Sequence, residues 1–223
     1  MKAWFVTGAG TELGKTHVAC ALLRGWRAAG LRCAAFKPVA SGVATVADSD
    51  PGRLLDALGV EATPEALDEV CPHRFAAPLA PPLAARAEGA ALSGPAIVHA
   101  CRERIARPGA DVLLIEGAGG LLSPLTQDMT CLDLLAALQL PALFVMGDYL
   151  GAVSHALSGL EVLRQQGIPV AAVVISEGLG GVGPAPTCEM MGWFRPDLAM
   201  IAAARGEDRG WVAMLGARLL EGG

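Results

Sequence analysis

Aromatic residues are scarce in this chain, 4% of 223 residues with a single tyrosine, so the core is expected to be mainly aliphatic. The 53% hydrophobic content, with abundant Ala, Leu, Val and Gly, excludes a largely disordered chain and suits close packing of helices on a sheet. No C-x-x-C pair occurs among the six cysteines, and the four histidines show no metal-ligand spacing with them. Both sets read as structural, and reduced thiols in apolar surroundings fit a cytoplasmic location.

Basic runs are missing as well. Lys and Arg number 17 against 22 Asp and Glu, a net charge of -5, so the overall field attracts neither nucleic acid nor an anionic membrane. Any anion has to be held locally. The longest uncharged run, Leu134 to Gly147, contains Gln139 and Pro141 and is too short to span a bilayer, and no signal-peptide core stands at the N-terminus. These absences predict a soluble cytoplasmic protein with no membrane or nucleic-acid partner. Nothing reads as a linker, so residues 1–223 are expected to form one domain.

What is present begins with Thr7-Gly8-Ala9-Gly10-Thr11-Glu12-Leu13-Gly14-Lys15-Thr16-His17, set between a β-like run, Ala3 to Val6, and a helical run from Val18 to Ala29. Glycines at Gly8, Gly10 and Gly14 let backbone N–H groups turn inward, and the helix that follows points its positive end to the same place. Lys15 adds a cation, and Thr16 offers a hydroxyl to Mg2+. Such a loop binds a nucleoside triphosphate.

Further along, Leu31 to Phe36 reads as a buried strand that delivers Lys37 to its carboxyl end, where open parallel sheets bind ligands. Asp48-Ser49-Asp50 precedes a short helix from Gly52 to Leu58, and Asp50 is open to reading as an N-cap. The Phe75 to Pro82 stretch, with Pro78, Pro81 and Pro82, is expected to be irregular and able to wall a pocket. A helix follows from Ser93 to about Arg107. Asp111 to Ile115 is the clearest buried strand, and it brings Glu116 to the carboxyl edge ahead of Gly117-Ala118-Gly119-Gly120. An apolar run ending in an acid is what phosphate-loop enzymes use to hold Mg2+.

Leu132 to Leu138 and Gly151 to Gln166 read as helices, with strands at Ala142 to Met146 and Val170 to Ile175. Gly178 to Pro186 reads as a flexible loop, followed by weaker signals for a helix at Cys188 to Phe194, a strand at Ala199 to Ala203 and a helix at Asp208 to Leu220. Strands alternating with helices of this length predict an α/β fold: a doubly wound, mostly parallel sheet of six or seven strands, of the P-loop NTPase kind.

The phosphate loop, Lys37-Pro38-Val39-Ala40-Ser41-Gly42, Asp48-Ser49-Asp50, the Phe75 to Pro82 stretch, Glu116 to Gly120 and Leu150-Gly151-Ala152-Val153-Ser154-His155 occur in an order and spacing that resembles the dethiobiotin synthetases of the biotin pathway, over roughly residues 1–176. The resemblance implies an ATP- and Mg2+-dependent ligase. In that reaction CO2 adds to an amine of 7,8-diaminopelargonate, the carbamate takes the γ-phosphoryl group, and the second amine closes the ring to dethiobiotin with release of ADP and phosphate.

It also implies roles. Lys15 and Lys37 would be catalytic, offsetting the repulsion between carbamate and triphosphate. Gly8, Thr11, Glu12, Leu13, Gly14, Lys15, Thr16, His17, Glu116, Gly117, Ala118 and Gly119 would hold nucleotide. Thr16, Asp50 and Glu116 would hold Mg2+. Ser41, Pro78, Gly117, Gly119 and Gly120 would meet the substrate. Gly151, Ala152, Val153 and Ser154 of a partner subunit would receive its carboxylate at a helix start, making the enzyme a homodimer with a composite site.

Departures from the family pattern are Gly10, Ser154, the absence of a Pro-x-Leu-Gly run near Met200, and Ser176-Glu177 where the family has Asn-Asp. The last predicts poor discrimination among ATP, GTP and CTP. Two other readings share the loop: an amidating synthetase of the cobyrinic-acid type, which would need room for a glutaminase domain, and a switch ATPase, which would carry a lysine at Gly10.

Overall fold

The computed structural model describes residues 1–178, 180–206 and 210–221. Nearly uninterrupted apolar runs form its central strands, as they must when both faces of a sheet are covered. These are β1 (Lys2–Gly8), β2 (Cys33–Phe36), β5 (Val112–Glu116), β6 (Ala142–Met146), β7 (Val170–Ser176) and β8 (Met200–Ala203). All pair in parallel, in the order β2-β5-β1-β6-β7-β8. A second, two-stranded parallel sheet joins β3 (Val39–Ala40) to β4 (His73–Arg74).

Alternation along each strand sends neighbouring side chains to opposite faces, and the helices divide accordingly. Trp4, Val6, Leu114, Leu143 and Val145 pack beneath α1 (Lys15–Ala28), α2 (Asp50–Leu58), α3 (Pro64–Val70) and α9 (Gly210–Glu221). Trp4 and Trp26 stack there with ring centroids 5.5 Å apart. Phe5, Leu113, Ile115, Phe144 and Met146 face α4 (Pro81–Ala87), α5 (Gly94–Ala106), α6 (Cys131–Leu138), α7 (Ala152–Gln165) and α8 (Pro184–Phe194). The doubly wound, mostly parallel α/β sheet expected from the pattern is present, with six strands in the main sheet.

Several local expectations need correction. Ser49, not Asp50, caps α2: its Oγ accepts from the Gly52 N–H at 3.2 Å, which leaves the Asp50 side chain for other work. The prolines do not keep the whole Phe75 to Pro82 stretch irregular, because Pro81 and Pro82 occupy the first turn of α4, where a missing N–H costs nothing. Likewise the loop after β7 ends early, since α8 starts at Pro184. Of the expected helix from Asp208, the first two residues lie outside the described residues, as does Leu179 in the expected loop.

Candidate active site

The phosphate loop runs from the end of β1 to the start of α1, and three of its glycines are there for different reasons. Gly8 is buried beside β6, where a Cβ would lie 2.2 Å from the Val145 carbonyl oxygen; its lack of a side chain serves strand packing. Gly14 has φ +93° and a Cβ would meet Ser176 Oγ at 2.4 Å, so both conformation and space require glycine. Gly10 has neither demand, but Gly120 approaches its Cα so closely that a Cβ on Gly120 would sit 3.0 Å away. The two glycine-rich loops therefore touch backbone to backbone.

Three parallel strand ends bring the charged groups together. Lys37 follows β2, Glu116 ends β5, and α1 carries Lys15 and Thr16. Lys37 Nζ lies 2.6 Å from Glu116 Oε1 and 3.1 Å from Asp50 Oδ2. Thr16 donates its hydroxyl to the same Glu116 oxygen at 2.7 Å, and Lys15 donates to the Gly10 carbonyl at 2.7 Å.

Burial acts against both ammonium groups, and their surroundings split them. For Lys37 burial opposes the charge, but Glu116 and Asp50 outweigh it and hold the group above the usual lysine range. For Lys15 burial and the neighbouring Lys37 cation pull it below that range. Burial pushes the Asp50 carboxyl up, and Lys37, with the Thr16 hydroxyl beside it, overrides that and brings it down. The cluster holds two cations against two carboxylates, and the less satisfied cation is Lys15, which lies on the phosphate loop.

Glu116 is 1% exposed, and its Oε2 has no hydrogen-bond partner among the described residues. A buried carboxylate oxygen left bare is costly unless something arrives to use it. A hard divalent cation fits. No group of three or more His, Cys, Asp or Glu able to hold a metal exists among the described residues, but Mg2+ asks for little. It binds through one or two carboxylates, waters and substrate phosphates, and Thr16, Asp50 and Glu116 offer that donor set.

A cleft of about 770 Å³ opens over the cluster. Of the residues expected at the site, Thr11, Glu12, Gly14, Lys15, Thr16, His17, Lys37, Ser41, Asp50, Pro78, Glu116, Ala118 and Gly119 line it. Gly8, Leu13, Gly117 and Gly120 lie behind its wall: Leu13 turns toward Gly10 and Gly147, and a Cβ on Gly117 would strike Cys131 Sγ at 2.9 Å. Gly151, Ala152, Val153 and Ser154 start α7 away from the cleft. Leu150 beside them is fully exposed.

Several residues were not foreseen, four of them with polar or charged side chains that line or shape the site. Arg53 and Arg205 line the cleft, and only the assembled fold brings them there. Ser123 accepts from the Gly120 N–H at 2.7 Å and shapes the glycine run, a short side-chain-to-backbone turn that a serine just after such a run can signal. Asp148, 2% exposed at the end of β6, accepts from the N–H groups of Gly178 at 2.9 Å and Gly183 at 3.1 Å and so ties down the loop after β7.

Residues 2–195 match the family described as "AAA domain". The chain is 49% identical over 207 residues to the ATP-dependent dethiobiotin synthetase BioD of Caulobacter vibrioides (strain NA1000 / CB15N), covering 92% of this chain and 93% of that one. It is 44% identical over 219 residues to the protein of the same name from Phenylobacterium zucineum (strain HLK1), covering 96% and 94%. Among solved structures it is similar to the MinC:MinD cell division protein complex of Aquifex aeolicus, with TM-score 0.56 and 11% identity over 98% of this chain and 86% of that one. Chloroplast FtsY from Physcomitrella patens gives 0.54 and 14%, over 98% and 65%. The last two likenesses speak for the phosphate-loop α/β fold alone, whereas the first two, with the lysine-carboxylate cluster in place, speak for more: the chain belongs to the family of ATP-dependent dethiobiotin synthetases.

Proposed function

We propose that the cleft joins CO2 to 7,8-diaminopelargonate and closes the ring to dethiobiotin with consumption of MgATP, working as a homodimer. The observation that carries this reading is the buried Lys37–Glu116 pair beside Asp50, Thr16 and the phosphate loop, with one Glu116 oxygen unpartnered. Lys37 is fixed at the reacting end, where a carbamate and a γ-phosphoryl group meet and would repel each other. Glu116 and Asp50 favour its charged form. Lys15, held to the loop by the Gly10 carbonyl, stands ready to exchange that weak partner for phosphate oxygens, aided by the N–H groups at the start of α1. Mg2+, when held by Thr16, Asp50 and Glu116, would neutralise charge on the phosphates.

Ser41 and Pro78 line the far side of the cleft and are proposed to position the diamine. The substrate carboxylate still needs a receptor. The start of α7 has the Ala152 N–H bonded to the Tyr149 carbonyl but offers those of Val153 and Ser154 without a lysine, does not line its own cleft, and carries the exposed Leu150, which supports a site completed by a second copy. No described helix is long and apolar enough to cross a membrane. The test is to incubate the protein with diaminopelargonate, bicarbonate and MgATP and to look for dethiobiotin by mass spectrometry. ATP hydrolysis without the diamine, and no dethiobiotin with it, would sink the reading in favour of a switch ATPase.

A further inference from the structure

The order of strands gives the cleft a direction. Lys37, Asp50 and Glu116 come from the β2 and β5 side of β1, whereas β7 and β8 lie beyond β6 on the other side. If the reacting phosphate meets the lysine-carboxylate cluster, the nucleoside end of a triphosphate lying along the loop extends toward β7 and β8. Two features of that side stand out. Ser176 closes the end of β7, buried, with its Oγ unpartnered among the described residues and close under Gly14; it is too short to reach the edge of a base. Arg205, just past β8, lines the cleft and is exposed.

Arg205 is not placed there by chance of chain direction alone. Ser176 is in register with Ala203, and the next residue, Glu177, donates its N–H to the Ala203 carbonyl at 3.1 Å. The Glu177 carboxylate then accepts from the Arg205 backbone N–H at 2.5 Å. The turn after β8 is thus pinned to the end of β7. The Arg205 guanidinium reaches back over the phosphate loop, with Nη2 3.9 Å from the point a Cβ on Gly14 would occupy. No carboxylate pairs with it among the described residues.

We infer that Arg205 holds the nucleoside end of the nucleotide by laying its guanidinium plane against the base, with Glu177 as the residue that positions it. The inference rests on the nucleotide reading of the cleft given above. A guanidinium is planar, weakly hydrated and stacks well on aromatic faces. Every base has such a face, so this contact supplies affinity without reading the hydrogen-bonding edge that discriminates one base from another. With Ser176 buried and the Glu177 carboxylate engaged by the Arg205 backbone N–H, affinity by stacking and tolerance of the base go together.

The test is calorimetric titration of MgATP, MgGTP, MgCTP and inorganic tripolyphosphate into the full-length protein and into Arg205→Ala, Arg205→Lys and Glu177→Ala. Arg205→Ala is expected to weaken all three nucleotides alike, by about tenfold, the scale of a lost stacking contact, and to leave tripolyphosphate unchanged. Arg205→Lys keeps the charge and loses the plane, so it is expected to recover less than half of the loss. Glu177→Ala is expected to give a smaller loss of the same pattern, and none when added to Arg205→Ala. Equal weakening of tripolyphosphate would make Arg205 a phosphate ligand and overturn the inference. Unchanged nucleotide affinities would overturn it as well, leaving a solvated arginine. A preference of the unmutated protein for ATP of a thousandfold or more would do the same by revealing an edge-reading site. If the unmutated protein binds none of the nucleotides, the reading of the cleft itself fails, a result separate from the others.

Discussion

Lys37 shows how one residue type acquires a task from its surroundings. It is 3% exposed between Glu116 and Asp50, and without those carboxylates burial would favour its neutral form. Lys37→Ala is expected to leave ATP affinity nearly intact, because the loop and Lys15 remain, and to slow turnover about a hundredfold, since in the proposed reaction the lost charge would act at the reacting carbamate. Single-turnover kinetics beside an equilibrium nucleotide titration separates the two, and an unchanged turnover number would remove Lys37 from the chemistry. Asp111 carries the contrary lesson, a paired carboxylate with no catalytic part. Hydrogen bonds from the side chain and backbone of Arg32 hold it to about 2. A carboxyl lowered in the folded state contributes stability that is present above its unfolded value of about 3.9 and lost as pH falls through the folded one. Arg32→Ala is therefore expected to bring the Asp111 titration, followed by NMR, up toward the ordinary carboxylate range and to flatten the fall in stability between those two values. An unmoved Asp111 titration would mean that the pair is not held in solution.

At the scale of the element, the short helix α2 matters for what its first residue does. Ser49 accepts from Gly52 and donates to the Val46 carbonyl at 2.7 Å, and this cap places Asp50 within reach of Lys37 and Thr16. Ser49→Ala is expected to cost about 1 kcal/mol of stability, as lost caps do, and also to raise the Mg2+ concentration needed for half-maximal activity. A melting shift with no change in Mg2+ dependence would show that the cap and the proposed metal-binding role of Asp50 are independent. The same helix marks where local reading works and where it stops. Runs such as Asp111 to Glu116 and Ala142 to Met146 are legible because a strand covered on both faces is apolar throughout. The phosphate loop is legible because its spacing is local, and Lys37 and Glu116 are legible because each stands at the end of such a run. The capping serine is less so: Asp48, Ser49 and Asp50 are all good caps, and only the assembled turn decides among them. The short β3 and β4 pair depends on residues far apart in the chain, and α3, with Thr63 as its cap and Pro64 at its start, carries too few apolar residues to announce itself. Arg205 and Asp148 were hidden for the same reason, since each acts on a neighbouring strand's loop and not on its own surroundings in sequence.

For the whole molecule the proposed reaction turns on the substrate carboxylate, whose proposed receptor is supplied by assembly. The chain places a lysine-rich reacting centre at one end of the cleft, but the helix start suited to a carboxylate, Gly151 to Ser154, belongs to α7 on the opposite face of the sheet from α1. In the proposed reading one copy would bind nucleotide through its own residues, while the diamine would need the second copy. Dilution should therefore separate two functions that concentrated protein shows together. At protein concentrations where sedimentation finds only monomer, nucleotide binding is expected to persist and dethiobiotin synthesis to disappear. A substitution reports on the same division. Gly151 has φ +96° with nothing within 4 Å of a Cβ, so a side chain there meets open space but a strained backbone. Gly151→Val is expected to disturb the first N–H groups of α7, raising KM for the diamine about tenfold or more while KM for ATP stays within about twofold, if the receptor and the phosphate loop lie on different copies as proposed. Parallel rises in both constants would place the two sites in one subunit, and full synthesis by a monomer would remove the partner from the reaction.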